Sequence, residues 1–377
     1  MFFPITESAS ILKWAQVHIQ PGEALLLLGT YRDRRAFPEL IEALQCAGVT
    51  SFGGLFERVI YGTRTYERGC VAATFRASQL PCVVQGCEHG YRDLAGILPA
   101  STPDRDQTVI VFADPDLPSL ATFFQQLYTH YGNSVEYLGA GTGVKANPLS
   151  TEEPDLGSLF TTESGLVSGS IVVALVDHSA GVTAKHGWTR AGGPMIASRV
   201  DDQWIYEINW RPAWDVYREA VEAVTEQPID ASEPLRQGIV GFPLGMKRAG
   251  AEDLLRLPLD VDDSGGMRCV GGVPSNAVLH LLKGIPQNLC AAASESAKES
   301  LQALGVPAGQ ALLVECVTRF EFMEDRFDEE LHAIDRQLSQ SCESPVIGML
   351  ARGELASMKG GYPQMLNKTA VVGAFQS

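Results

Sequence analysis

Ala24-Leu25-Leu26-Leu27-Leu28 is an unbroken apolar run of strand length, and the residues that follow it decide the fold. Phe37, Leu40, Ile41 and Leu44 fall at i, i+3, i+4 and i+7, the spacing of one buried helix face. Phe52-Gly53-Gly54-Leu55-Phe56 reads as a second strand and, after a polar loop, Gly69-Cys70-Val71-Ala72-Ala73-Thr74-Phe75 as a third. The order recurs twice: 108–112, a helix over 117–131, 137–143 and 169–176; then 311–314, a helix over 326–338, 346–350 and 369–375. A blurred fourth copy is expected at 204–208, a helix over 212–224, 238–242, and a strand pair at 255–259 and 267–270. Pro212 suits the start of that helix, where its missing N–H is spare.

Each unit is therefore β-α-β-β. The last two strands are joined by loops too short for a crossover helix and are expected to pair antiparallel. Helices cover one sheet face, so the other must bury against a second sheet. The expected class is α+β: repeated β-α-β-β units forming two stacked mixed sheets with helices outside, an αββα-like layered sandwich. Segments 100–107, 147–158 and 260–266 read as surface linkers, and 294–304 as a short amphipathic helix.

Composition narrows the function. Lys and Arg total 29 against 45 Asp and Glu, a net charge of −16, which repels phosphate backbones and anionic membranes. Neither nucleic acid nor a membrane is an expected partner. No apolar stretch approaches the ~20 residues that span a bilayer, and Met1-Phe2-Phe3-Pro4-Ile5-Thr6-Glu7 lacks the basic region of a secretory signal. The cysteines at 46, 70, 82, 87, 269, 290, 316 and 342 are scattered, several within apolar runs, which fits reduced thiols and a cytoplasmic location.

Several motifs invite chemistry. Gly139-Ala140-Gly141-Thr142-Gly143-Val144-Lys145 suggests a phosphate loop, but the Walker spacing fails and Ala146-Asn147-Pro148 blocks a helix. A glycine-rich strand approached closely by backbone or ligand is the expectation. Cys82-x4-Cys87-x-His89 lacks the second pair of a zinc site, and Asp260-x-Asp262-Asp263 lacks the closing Glu of a calcium loop. Gly165-Leu166-Val167-Ser168-Gly169 is not a nucleophile elbow, and no catalytic residue is assigned. His186-Gly187-Trp188, beside Gly192-Gly193-Pro194, places an imidazole and an indole where they could line a pocket or, for the imidazole, bind haem iron; a satisfied loop histidine beside a core tryptophan is the plain alternative. Arg319, at a strand end, either clamps an anion or pairs with Glu321 or Glu324 at the surface.

The segment Trp204-Ile205-Tyr206-Glu207-Ile208-Asn209-Trp210-Arg211-Pro212-Ala213-Trp214-Asp215-Val216-Tyr217-Arg218 resembles the join between the two halves of FIST proteins. His186 to Pro194 resembles the segment before that join, and 52–75 the opening of the first half. Gly353-Glu354 and Asn367-x-Thr369-Ala370 resemble the family's ending. Over residues 23–375 the chain is thus identified as a member of the FIST-domain family, with a FIST N-type sensory half over 1–206 and a FIST C-type half over 207–377. It departs from the common pattern at Asn209-Trp210 and at Cys316-x-x-Arg319, which is followed by acids. The resemblance implies an intracellular, non-enzymatic sensor of small ligands, amino acids among them, coupled to a histidine kinase of a two-component system or to a diguanylate cyclase. One similar subgroup binds haem and senses nitric oxide, so haem on His186 is the alternative expectation. The expected ligand set is Gly139, Gly141, His186, Trp188, Arg319, Gly353, Glu354 and Asn367. No output module is legible, so a partner chain is expected, and a homodimer is compatible.

Overall fold

The structure, a computed structural model, describes residues 1–4, 7–85, 91, 94–102, 106–144, 157–229, 241–248, 251–357 and 361–377. Three β-α-β-β units are present where the repeats place them. The first is Glu23–Thr30, helix Phe37–Cys46, Ser51–Phe56 and Cys70–Arg76; the second Gln107–Ala113, helix Leu120–Tyr131, Val135–Gly141 and Ser170–Val176; the third Ala308–Cys316, helix Phe327–Leu338, Ile347–Ala351 and Ala370–Gln376. In each, the opening strand runs parallel to the strand after the helix and antiparallel to the closing strand. The closing strand therefore pairs with the opening strand, not with its immediate predecessor as expected.

The physical reason is a hairpin that leaves each unit before its closing strand. Val59–Tyr61 and Arg64–Tyr66 join the third unit's sheet, with Ile347 opposite Tyr61. The hairpin Glu354–Ser357 and Pro363–Leu366 joins the second unit's sheet, with Glu354 opposite Ala140. The hairpin Leu159–Thr161 and Gly165–Val167 joins the first unit's sheet, with Phe160 opposite Gly53. The exchange is cyclic, so each sheet is completed by a neighbour.

Mixed sheets lie inside and helices outside, the expected α+β layering. Three sheets face one another, so any two of them give the order helix, sheet, sheet, helix. Their inner faces share one core that includes Leu26, Phe52, Phe112, Leu138, Val314, Met349, Val371 and Phe375. The alternate residues point outward under helices: Leu25 and Leu27 under Phe37, Leu40 and Leu44; Val109 and Val111 under Phe123 and Leu127; Leu313 under Leu331, Ile334 and Leu338. Both faces are buried, which is why these strands read as continuous apolar runs. Each such side chain contributes roughly 1.5–3 kcal/mol.

One glycine repeats at the same register of all three units: Gly53 opposite Leu27, Gly139 opposite Val111 and Gly348 opposite Leu313. A Cβ there would stand 1.8, 2.0 and 2.2 Å from the partner's carbonyl oxygen. Gly139→Ala is thus expected to lose roughly 1–3 kcal/mol by overpacking, read as a lower urea midpoint at unchanged m-value.

The fourth sheet is not a further β-α-β-β copy. Thr189–Asp201 lies at its centre, with Trp204–Ile208, Met267–Cys269 and Pro258–Val261 on one side and Val278–Lys283, Leu244–Met246 and Leu254–Arg256 on the other, all antiparallel. Helix Ala213–Thr225 covers one face through Val216, Tyr217 and Val221. Residues 238–240 of the expected fourth-copy strand lie outside the described residues. The helix expected over 294–304 is longer, Pro286–Leu304, opened by Pro286 and closed by Gly305 at φ 71°. Among the described residues no helix is long and apolar enough to cross a membrane.

Candidate functional site

The third unit's first strand ends on Glu315 and Cys316, and the short helix Val317–Met323 that follows turns Arg319 into the protein. Arg319 is fully buried, and all five of its N–H donors are used. Nε donates to Glu330 (3.2 Å), and Nη2 to Glu330 (2.5 Å) and the Leu289 carbonyl (3.3 Å). Nη1 donates to the carbonyls of His186 (2.6 Å) and Lys368 (3.0 Å). Burial opposes the guanidinium's charge, but Glu330 and Glu315 outweigh it and push the pKa up. The expectations of a ligand clamp or a surface pair with Glu321 or Glu324 are corrected: Arg319 has no donor left to offer an anion.

Around it lies a cluster of fully buried ionisable groups. Glu315 approaches Arg319 Nε at 3.3 Å, and burial, reinforced by Glu330, pushes its carboxyl well up. Glu354, on the exchanged hairpin, accepts the Thr369 N–H (3.0 Å), and burial pushes it up to about 8. Burial pushes the Cys316 thiol up to about 12. Lys368 is buried above the Trp188 ring, with Nζ 4.7 Å from its centroid, and burial brings it down to about 8.

The other expected residues converge on this corner, largely as framework. Trp188 donates its indole N–H to the Lys368 carbonyl (3.0 Å) and packs on Phe322. Asn367 donates its amide to the carbonyls of Leu255 (3.3 Å) and Val270 (3.4 Å), tying the turn to the fourth sheet. Gly141 donates its N–H to the Gly353 carbonyl (2.8 Å), and a Cβ on it would meet the Arg352 carbonyl at 2.4 Å. Gly353 sits at φ 107°, where a side chain would also meet Met365. Neighbouring backbone and side chains, then, approach Gly139, Gly141 and Gly353. Lys145 of the glycine-rich motif lies outside the described residues.

His186 is different. Its backbone N–H donates to Glu252 (3.0 Å), and its Nδ1 accepts the Trp188 N–H (2.9 Å) across Gly187, at φ 71°. The side chain is 9% exposed and burial lowers its pKa; with Nδ1 accepting, the ring's proton sits on Nε2. That Nε2–H has no hydrogen-bond partner among the described residues and lies 3.9 Å from Glu252. It is buried at the seam between the fourth sheet and the body, where Arg248 donates to the Glu252 carbonyl (3.0 Å) and Arg190 holds Asp253 bidentately (2.8 and 2.6 Å). His280 stands 3.6 Å from Asp253.

Haem does not fit His186 here. Nδ1 is an acceptor, so Nε2 carries the proton, whereas iron ligation through Nε2 needs the proton on Nδ1, facing the Trp188 N–H. Among the described residues no group of three His, Cys, Asp or Glu is placed to hold a metal. Cys87 and His89 lie outside them, and seven described cysteines are free. Asp262 caps its own turn, accepting from Ser264 and Gly266.

Glu315, Glu330, Lys368, Glu252 and Asp253 were missed from sequence. A charge inside Ala311-Leu312-Leu313-Val314-Glu315-Cys316-Val317 is the one signal that pointed to the cluster.

The fold is built from repeated units, and a polar seam joins them to the fourth sheet. The FIST N domain model matches residues 23–211 and the FIST C domain model 213–357, so the chain belongs to the FIST family. FIST domains are sensory and are associated with small-ligand sensing in signalling proteins. No individual curated protein matches the chain.

Proposed function

We propose that this protein is a cytoplasmic small-ligand sensor that passes its state to a separate signalling chain, a histidine kinase or diguanylate cyclase, and that the ligand binds at the His186–Glu252 seam. The observation that carries this reading is the buried, neutral His186 whose Nε2–H lacks a partner, since a buried donor is normally satisfied. A ligand acceptor there would restore the missing bond. The seam offers acid and base together: Glu252, its side chain 37% exposed, for an ammonium, and the His186 N–H with Arg248 for a carboxylate. Free amino acids have that chemistry. Gly139, Gly141, Trp188, Arg319, Gly353, Glu354 and Asn367 form the rigid frame behind the seam. Ligand binding there would bear on both halves at once, and a differential fit to two arrangements of the halves is what a sensor needs.

Thermal-shift screening with amino acids and other metabolites tests the reading, with hits confirmed by calorimetry. A ligand at a hundred times its dissociation constant should add about 2.7 kcal/mol. Glu252→Gln and His186→Phe should each weaken it by about ten-fold or more, the loss of a charged or buried hydrogen bond. Unchanged affinity in both folded variants removes the seam as the site. Hemin is the control: it should give no Soret band that depends on His186, and one that vanishes in His186→Ala would restore the haem alternative.

A further inference from the structure

The closing strands of the three units meet at one histidine. Ala72, Val173 and Val372 stand opposite Leu27, Val111 and Leu313, the residues that face the repeated glycine. Four residues further on, Arg76, Asp177 and Gln376 are therefore equivalent ends of the three closing strands. Their backbones converge: the Arg76 carbonyl accepts the Asp177 N–H (2.7 Å), and Gln376 donates its N–H to the Ser179 carbonyl (3.1 Å).

His178 lies at that junction. Its Nε2 accepts the Arg76 N–H (3.0 Å), so Nδ1 carries the ring proton and donates to the Gln376 carbonyl (3.0 Å). The Thr108 hydroxyl donates to the His178 carbonyl (2.8 Å), which ties the residue to the second unit's opening strand. Phe75 meets the imidazole edge-on at 5.7 Å and packs on Phe375 at 4.9 Å. One imidazole thus bridges the first and third units from the end of the second.

The bridge works in one protonation state. A proton added to Nε2 removes the acceptor and sets an N–H against the Arg76 N–H. Burial is the largest influence on the ring and opposes that proton; the Arg76 guanidinium opposes it too. The Gln376 carbonyl, Glu23 and Asp177 favour it but are outweighed, so the ring's pKa lies below the usual 6.5. The Asp177 carboxylate is itself engaged, accepting the Ser78 N–H (3.0 Å) and the Gln107 amide (2.6 Å).

We propose that His178 is a proton-operated clasp between the three units: neutral, it closes the junction of their closing strands; protonated, it releases the Arg76 side. The unfolded ring takes up its proton near 6.5 and the folded ring only at lower pH. The clasp is therefore complete above 6.5 and is lost as pH falls through the folded value.

Hydrogen–deuterium exchange of the full chain at pH 7.5 and pH 5, each corrected for its intrinsic rate, tests this. The Arg76 and Asp177 amides should lose protection about ten-fold at the lower pH, the loss of one buried hydrogen bond. His178→Gln can offer its side-chain oxygen to the Arg76 N–H but cannot titrate, so its protection there should not change with pH. Nitrogen-15 spectra of the wild-type ring need no variant: at pH 7.5 they should show the proton on Nδ1, with a titration midpoint below 6.5. Equal protection of the wild type at both pH values overturns the proposal. So does a ring protonated on Nε2 at pH 7.5, or an acid loosening that persists unchanged in a folded His178→Gln protein.

Discussion

Arg319→Ala is expected to lose about 3–5 kcal/mol of folding stability, the cost of breaking a buried ion pair by removing one partner. The guanidinium ties four elements at once: helix Phe327–Leu338 through Glu330, helix Pro286–Leu304 through Leu289, the segment before the fourth sheet through the His186 carbonyl, and the C-terminal turn through the Lys368 carbonyl. Its loss leaves Glu330 buried without its cation and the His186 carbonyl without a donor. Arg319→Lys should be only partly tolerated, because an ammonium has three donors and cannot span the fork. Arg319→Met with Glu330→Met should recover most of the stability, since the stranded carboxylate is removed as well. Urea denaturation followed by circular dichroism reads all three. A loss below about 1 kcal/mol in a normally expressed Arg319→Ala protein, the range of an exposed pair, would mean the buried network does not form in solution. The hairpin exchange bears on the shape of the curve: the three sheets complete one another and should unfold together.

The three units were legible because their strands are buried on both faces and their helices carry a clean apolar stripe, as in Leu25 to Leu28 over Phe37, Leu40 and Leu44. The exchanged hairpins were not. Val59–Tyr61 is too short to show a period, and nothing in its sequence says that its partner lies nearly 290 residues away at Ile347. Helix Pro286–Leu304 was half missed because its buried face is built from small residues, Ala293, Ser296, Ala297 and Ser300. These let it sit close on the sheet, where the Ser300 hydroxyl donates to the Gly181 carbonyl (2.6 Å) and accepts the Ala374 N–H (3.0 Å). The site shows the same division. His186, Trp188, Arg319, Glu354 and Asn367 were found as residues, but only the fold tells that Arg319 is saturated while His186 keeps an unused N–H.

Glu354 and Lys368 should leave a signature in the pH dependence of stability. Glu354 has an ordinary pKa of 4.5 and a folded value of about 8. Below 4.5 both states are protonated and the group is neutral to folding. As pH rises from 4.5 towards 8 the unfolded chain releases the proton that the folded chain keeps, and stability falls. Lys368 runs the other way, from an ordinary 10.5 to about 8 when folded. Above 10.5 it costs nothing; as pH falls towards 8 the unfolded chain takes up a proton that the folded chain refuses, and stability again falls. Each unit of displacement is worth about 1.4 kcal/mol, so this pair alone should carve a minimum near pH 8 several kcal/mol deep. Glu354→Gln keeps an oxygen to accept the Thr369 N–H but has no proton to lose. Its advantage over wild type should be absent below pH 4.5, grow up to pH 8 and then level off. Lys368→Met should gain most below pH 8 and converge on wild type towards 10.5. Urea midpoints of the three proteins across that range, taken as differences so that other groups cancel, make the measurement. A Glu354→Gln difference that does not change with pH would show that this carboxyl is ionised in the folded protein, with Lys368 as its counter-charge.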